Sequence, residues 1–180
     1  MRSFVLSGVG QDRPGIVAAT AQLLLRHGMN IEDSRSSLLR GHFTMMIMVA
    51  GPDHLDVDAL RADLAETQRE IGLQATSLSE VWEVASPAEP SPSLIVTVYG
   101  ADHPGIVHAV TAILAERGAN ITDLTTRLVG GDEGAGVYAM MMEVAVPAGT
   151  TEADLRAPLE AVAREQGLEA TVRPLERDVL

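Results

Sequence analysis

The amino-acid sequence predicts an α+β chain built from two copies of one strand-helix-strand-strand-helix-strand unit. Three observations lead there. The chain repeats itself at a spacing of ninety residues, and a repeat of that length marks a duplicated domain. Within each copy the hydrophobic pattern switches between helical and strand-like periods. Glycines and prolines fall where those elements would begin and end.

The repeat is explicit. Asp12-Arg13-Pro14-Gly15-Ile16-Val17 returns as Asp102-His103-Pro104-Gly105-Ile106-Val107. Leu24, Gly28, Asn30, Ile31 and Asp33 return at the same offset as Leu114, Gly118, Asn120, Ile121 and Asp123. The offset then becomes ninety-five: Met45-Met46 matches Met140-Met141, Leu60-Arg61 matches Leu155-Arg156, and Gly72-Leu73 matches Gly167-Leu168. Five extra residues therefore lengthen a loop near Gly130-Gly131-Asp132-Glu133-Gly134. Between the copies, residues 85–92 contain Pro87, Pro90 and Pro92 without apolar periodicity, the composition of an extended linker. The expected layout is a first domain over 1–84, the linker over 85–92 and a second domain over 93–180.

In the first copy, Ser3–Val9 is rich in Val, Leu and Phe and ends at glycine, so it predicts a strand. Pro14 is expected at the first helical position, where a missing N–H costs nothing. Ile16, Val17, Leu23 and Leu24 share a helical face, and Gly28 is placed for the C-terminal cap. Asn30–Arg40 predicts a second strand, polar on both faces and suited to a sheet edge. Gly41-His42 is the expected turn, and Phe43–Ala50 is apolar throughout, as for a buried central strand. Leu55–Ile71 predicts the second helix, and Leu73–Val84 the last strand. The second copy repeats the order, with Asn120–Val129 as its edge strand and Thr151 and Asp154 spaced as a capping box. This is the ferredoxin-like βαββαβ unit: a four-stranded antiparallel sheet with both helices on one face.

Composition narrows the function. The formal net charge of −12 opposes binding to phosphate backbones, which depends on clustered Lys and Arg. No direct nucleic-acid contact is expected. With no cysteine, disulfides, thiolate zinc sites and a cysteine nucleophile are excluded. No stretch has the length of a membrane span, and the start lacks a signal peptide's apolar core. The expectation is a soluble cytoplasmic protein without membrane contact.

A first strand, then Asp-Arg-Pro-Gly-Ile-Val, then a helix ending at Gly-x-Asn-Ile resembles the ACT domain, a small-molecule-sensing module. The likeness rests on Asp12–Val17 with Gly28, Asn30 and Ile31, and on Asp102–Val107 with Gly118, Asn120 and Ile121. Two such modules, with Asn30-Ile31-Glu32-Asp33-Ser34-Arg35, are similar to the group of glycine cleavage system transcriptional repressors. The resemblance implies regulation of glycine catabolism through a partner transcription factor, with a small amino acid, glycine first, as ligand. In this sequence His103 stands where the first copy has Arg13, so the two sites need not be equivalent.

Two readings fit the Asp-x-Pro-Gly turns. In one, a helix start exposes N–H groups and positive dipole to an amino-acid carboxylate, Gly15 admits it to the backbone, and Asn30 adds a donor and an acceptor. The ligand-binding set is then Asp12, Arg13, Pro14, Gly15, Ile16, Asn30 and Ile31, with Asp102, His103, Gly105, Ile106, Asn120 and Ile121 in the second copy. In the other, Asp12 caps the helix, Pro14 starts it, Gly15 packs closely and Asn30 adopts a turn. Met45, Met46, Met48, Met140, Met141 and Met142 are read as sheet core in preference to a partner surface. Because Met45 and Met46 point to opposite faces, the helix-free face is expected to be covered, by the other copy or by a second chain in a homodimer.

His103 and His108, five apart at an expected helix start, lack the i, i+3 or i+4 spacing of paired metal ligands. No metal and no cofactor is expected. Gly8-Val9-Gly10 precedes a helix, but Arg13 occupies the place of the third glycine of a dinucleotide fingerprint. No Gly-x-Ser-x-Gly turn or phosphate loop is present. The chain is read as a non-enzyme: an amino-acid-responsive regulator working through a transcription factor or, alternatively, a subunit that tunes a metabolic enzyme.

Overall fold

The structure, a computed structural model, describes residues 1–81, 91–130 and 136–175. The chain divides into two compact units, Met1–Ala85 and Ser86–Leu180. Residues 85–90 of the expected linker, residues 131–134 of the lengthened loop and residues 82–84 of the expected last strand lie outside the described residues.

The first unit runs β1 (Arg2–Gln11), α1 (Ile16–Arg26), β2 (Asn30–Leu39), β3 (His42–Gly51), α2 (Val57–Ile71) and β4 (Leu73–Val81). The second runs β5 (Leu94–Ala101), α3 (Ile106–Glu116), β6 (Asn120–Val129), β7 (Val137–Ala145), α4 (Glu152–Glu165) and β8 (Leu168–Pro174). The sheets are antiparallel with strand orders β2-β3-β1-β4 and β6-β7-β5-β8. The polar second strand is therefore an edge and the apolar third strand is interior, as the sequence predicts.

Strand alternation puts Phe4, Leu6, Met45, Ile47 and Val49 on the helix side, packed with Ile16, Leu23 and Leu24 of α1 and Leu60 and Leu64 of α2. The second core repeats this with Val96, Val98, Met140, Met142 and Val144 against Val110, Leu114, Leu155 and Leu159. Each fully buried Leu or Val contributes roughly 1.5–3 kcal/mol. Met46 and Met141 point to the other face and stay exposed, so the methionines divide between core and open sheet surface. Val17 is also exposed, not on the buried face. Thr20 takes the buried place instead, its hydroxyl satisfied by the Ile16 carbonyl at 2.9 Å.

Several boundaries differ from the sequence pattern. The β2–β3 turn is Arg40-Gly41, not Gly41-His42: both residues have positive φ, 49° and 81°. A two-residue hairpin needs that twist, and here an arginine supplies half of it. Helix α2 starts at Val57, not Leu55, because the Asp56 carboxylate accepts from the Asp58 and Ala59 N–H groups. Helix α1 ends as expected: Gly28 lies at φ 66°, with Gly28 N–H on Leu25 O and Met29 N–H on Leu24 O, the paired bonds of a Schellman cap.

Helix α4 carries the expected Thr151–Asp154 capping box and, seven positions in, Pro158. Proline has no N–H for the carbonyl four residues back. That carbonyl, Asp154 O, accepts instead from Arg117 Nε at 3.2 Å. Among the described residues no helix is long and apolar enough to cross a membrane.

Candidate functional site

The two Asp-x-Pro-Gly turns have the same geometry. Gly15 and Gly105 are the N-cap residues of α1 and α3, at φ 97° and 101°, and neither helix has a side-chain cap. Asp12 therefore does not cap α1, and Pro14 lies ahead of the helix, not at its first position. An added Cβ on Gly15 or Gly105 would meet nothing within 4 Å, so the glycine serves backbone conformation, not close packing. The uncapped start leaves the N–H groups of Ile16 and its successors directed out of the helix toward the turn. Asp12, Arg13, Pro14 and Gly15 are exposed, whereas the Ile16 side chain is buried beneath them, as is Ile106 in the second unit. The Asp12 N–H is fixed on Gly41 O at 3.0 Å, which ties the first turn to the β2–β3 hairpin.

Arg13 and His103 reach a place that the motif does not announce. Arg13 donates to Glu70 O at the end of α2, and its guanidinium lies over Gly72. His103 Nε2 lies 2.9 Å from Gln166 O at the end of α4, and its Nδ1 3.1 Å from Pro104 O, each within hydrogen-bond distance of a carbonyl. These two carbonyls hold the imidazole above its ordinary pKa, and Asp102 adds to the effect. His103 precedes α3, so His103 and His108 do not share a helix start. Among the described residues no group of three or more His, Asp or Glu side chains is placed to hold a metal ion.

Asn30 and Ile31 are not beside the turn of their own unit. In the ladder Asn30 pairs with Ala50, and Ala50 with Ser3; at the other end Leu39 pairs with His42, and His42 with Gln11. Ser3 and Gln11 are eight residues apart on β1, roughly 26 Å at the strand rise. The expected convergence of Asp12–Ile16 with Asn30–Ile31 therefore does not occur within a unit. The second unit is built alike: Asn120 and Ile121 pair with Ala145 and Val144 near Leu94, while Asp102–Gly105 follows Ala101 at the far end. A bulge after Ile31 and after Ile121 shifts the register at both asparagine ends, a feature the sequence pattern did not reveal.

A duplicated βαββαβ unit, each copy with a glycine-capped turn and a polar edge strand, is the class of protein that the structure defines. Residues 2–77 and 93–173 match the ACT domain family, and the chain belongs to it. It is similar to the glycine cleavage system transcriptional repressor of Escherichia coli, at 32% identity over 127 residues, covering 68% of this chain and 63% of that one. It is 26% identical over 171 residues to the phosphoserine phosphatase SerB2 of Mycobacterium tuberculosis, covering 94% of this chain but 40% of the enzyme. Among solved structures, a protein of unknown role from Galdieria sulphuraria superposes with TM-score 0.77 at 31% identity, covering 97% of this chain and 99% of that one. A candidate glycine cleavage system transcriptional repressor shares the fold at TM-score 0.73 and 19% identity, covering 98% of each chain.

Proposed function

We propose that this chain is an amino-acid-responsive regulator without catalysis of its own, controlling genes of glycine cleavage or related amino-acid metabolism by contact with a transcription factor. The observation that carries the reading is the 32% identity to the E. coli repressor in a chain whose two ACT domains account for residues 2–77 and 93–173. The acidic charge of −12 supports action through a protein partner, since phosphate repels it.

The ligand is a small amino acid, with glycine the first candidate. Its carboxylate would meet the N–H groups at a turn such as Gly15-Ile16, and an asparagine from a second copy of the chain would complete the site. Edge pairing explains how. If two β2-type strands join antiparallel, the start of one lies beside the end of the other. Asn30 of one chain then approaches the partner chain's hairpin end, where Asp12 is bonded to Gly41. Chains are expected to pair into homodimers by closing such edges. Affinity capture from the source cell tests the regulator reading: a transcription factor retained in a glycine-dependent way supports it, and retention of a metabolic enzyme alone overturns it. Light scattering at 19.1 kDa across micromolar concentrations would overturn the dimer.

A further inference from the structure

We propose that Arg13 and His103 are positioning residues that lock the Asp-x-Pro-Gly turns onto the C-terminal carbonyls of α2 and α4, and that only the second lock is switched by pH. The proposal deepens the amino-acid-site reading, on which its consequence for ligand binding rests.

The duplication supplies the internal comparison. The same position of the two turns reaches the same place, the last turn of the unit's second helix, with two different side chains. Arg13 donates to Glu70 O and His103 to Gln166 O at 2.9 Å. Both cations also oppose the negative end of a helix dipole. Arg13 is spent on this contact: its guanidinium carbon and two terminal nitrogens lie 3.0–3.2 Å from where a Cβ on Gly72 would stand. It is therefore directed at α2, not into the space before α1.

Arginine keeps its charge across the accessible pH range, so the first lock is permanent. Histidine does not. Both acceptors of His103 are carbonyl oxygens, Gln166 O on Nε2 and Pro104 O on Nδ1. A neutral imidazole has one N–H and can serve only one of them; the imidazolium serves both. The Gln166 bond ties the turn to the end of α4, and the Pro104 bond fixes the ring within the turn, so the imidazolium does both at once. The Pro104 and Gln166 carbonyls favour this form and raise the His103 pKa, and Asp102, adjacent in the turn, adds to the effect. On the elements that meet there, Arg164 and Glu165 immediately precede Gln166 at the end of α4. On β8, Glu169 already accepts from Tyr99.

The sign follows. A histidine whose folded pKa is raised contributes fully below its unfolded value, about 6.5, and the contribution is lost as pH rises through the folded value. The second turn is thus held by both bonds in mild acid and by only one of them once pH has risen through the folded value, while the first is indifferent.

The test uses the full chain, without added ligand, by NMR between pH 5.5 and 8.5. The expected result is a His103 midpoint above 6.5, both ring nitrogens protonated below it, and the Gly105 and Ile106 amides shifting with the same midpoint. The Gly15 and Ile16 amides should stay level. His103→Arg should hold the second turn in its low-pH position throughout, and His103→Gln should lose the transition. A His103 midpoint at or below 6.5, or Gly105 and Ile106 amides that ignore it, overturns the lock. Glycine titrations at the two pH extremes separate the two readings. Turn amides that titrate in a protein that binds no amino acid would defeat the ligand site and leave the lock standing.

Discussion

Replacing Gly15 by alanine tests whether the turn's conformation, not its packing, is what the glycine supplies. At φ 97° an L-residue places its Cβ against the following carbonyl, a cost of about 1–2 kcal/mol. No steric term adds to it, because a Cβ there has no neighbour within 4 Å. The loss should fall on the first unit alone, since α1 and its core contacts with Phe4, Leu6 and Leu60 lie within that unit. Residue-resolved amide hydrogen exchange reads the two units separately, which a single melting curve cannot do. Protection of the slowest α1 and β1 amides should drop roughly 5–30-fold, with α3 and β5 unchanged. Gly15→Asn should cost less than Gly15→Ala, since asparagine tolerates the left-handed region. Unchanged protection in Gly15→Ala, or equal losses in the two variants, would refute the assignment of this glycine to backbone conformation.

Three further outcomes are expected. Arg117→Ala should lower α4 protection by about 0.5–1.5 kcal/mol, the worth of one hydrogen bond, and should cost less in a Pro158→Ala background, where position 158 regains an N–H for Asp154 O; equal effects in both backgrounds would show that Arg117 does not serve that carbonyl. The Thr151 hydroxyl and N–H hold the Asp154 carboxyl below its ordinary range, so the cap is intact above the unfolded pKa of about 3.9 and weakens as pH falls through the folded value. Thr151→Ala should raise the Asp154 midpoint in an NMR titration, and an unmoved midpoint would contradict the capping account. Purified protein should show no specific duplex binding at physiological salt, given its charge of −12; a sequence-specific gel shift without a partner would contradict this.

Much of the fold was legible because duplication supplied two samples of one pattern. Asn120–Val129 has the bounds that the pattern predicts, and the edge and interior roles of the second and third strands follow from Asn30–Arg40 being largely polar and Phe43–Ala50 apolar. What failed did so where a local rule was overridden. Arg40 adopts a positive φ usually left to Gly or Asn, so the turn fell one residue earlier than Gly41 suggested. Thr20 is buried although polar, because its hydroxyl bonds within its own helix, and Val17 is exposed although apolar.

The site was half legible. The turns are legible in their motif, but closeness along the chain does not make Asn30 a neighbour of Asp12 in space. An antiparallel sheet sends the start of β2 to the end of the unit opposite the turn that precedes α1. Nor does the motif tell what Arg13 and His103 touch. That depends on where α2 and α4 end, sixty residues downstream, and no local pattern carries it.

The proposed site is an Asp-x-Pro-Gly turn that binds a small amino acid, with Asn30 or Asn120 supplied by a second copy of the chain. Isothermal titration of the full chain with glycine, followed by the other small amino acids, tests it most directly. Saturable heat is expected with at least one of them. Asn30→Ala or Asn120→Ala should weaken it by about 0.5–1.5 kcal/mol, one hydrogen bond, which is severalfold in Kd. Absence of saturable heat with any of them, or an affinity that neither substitution changes, would contradict it.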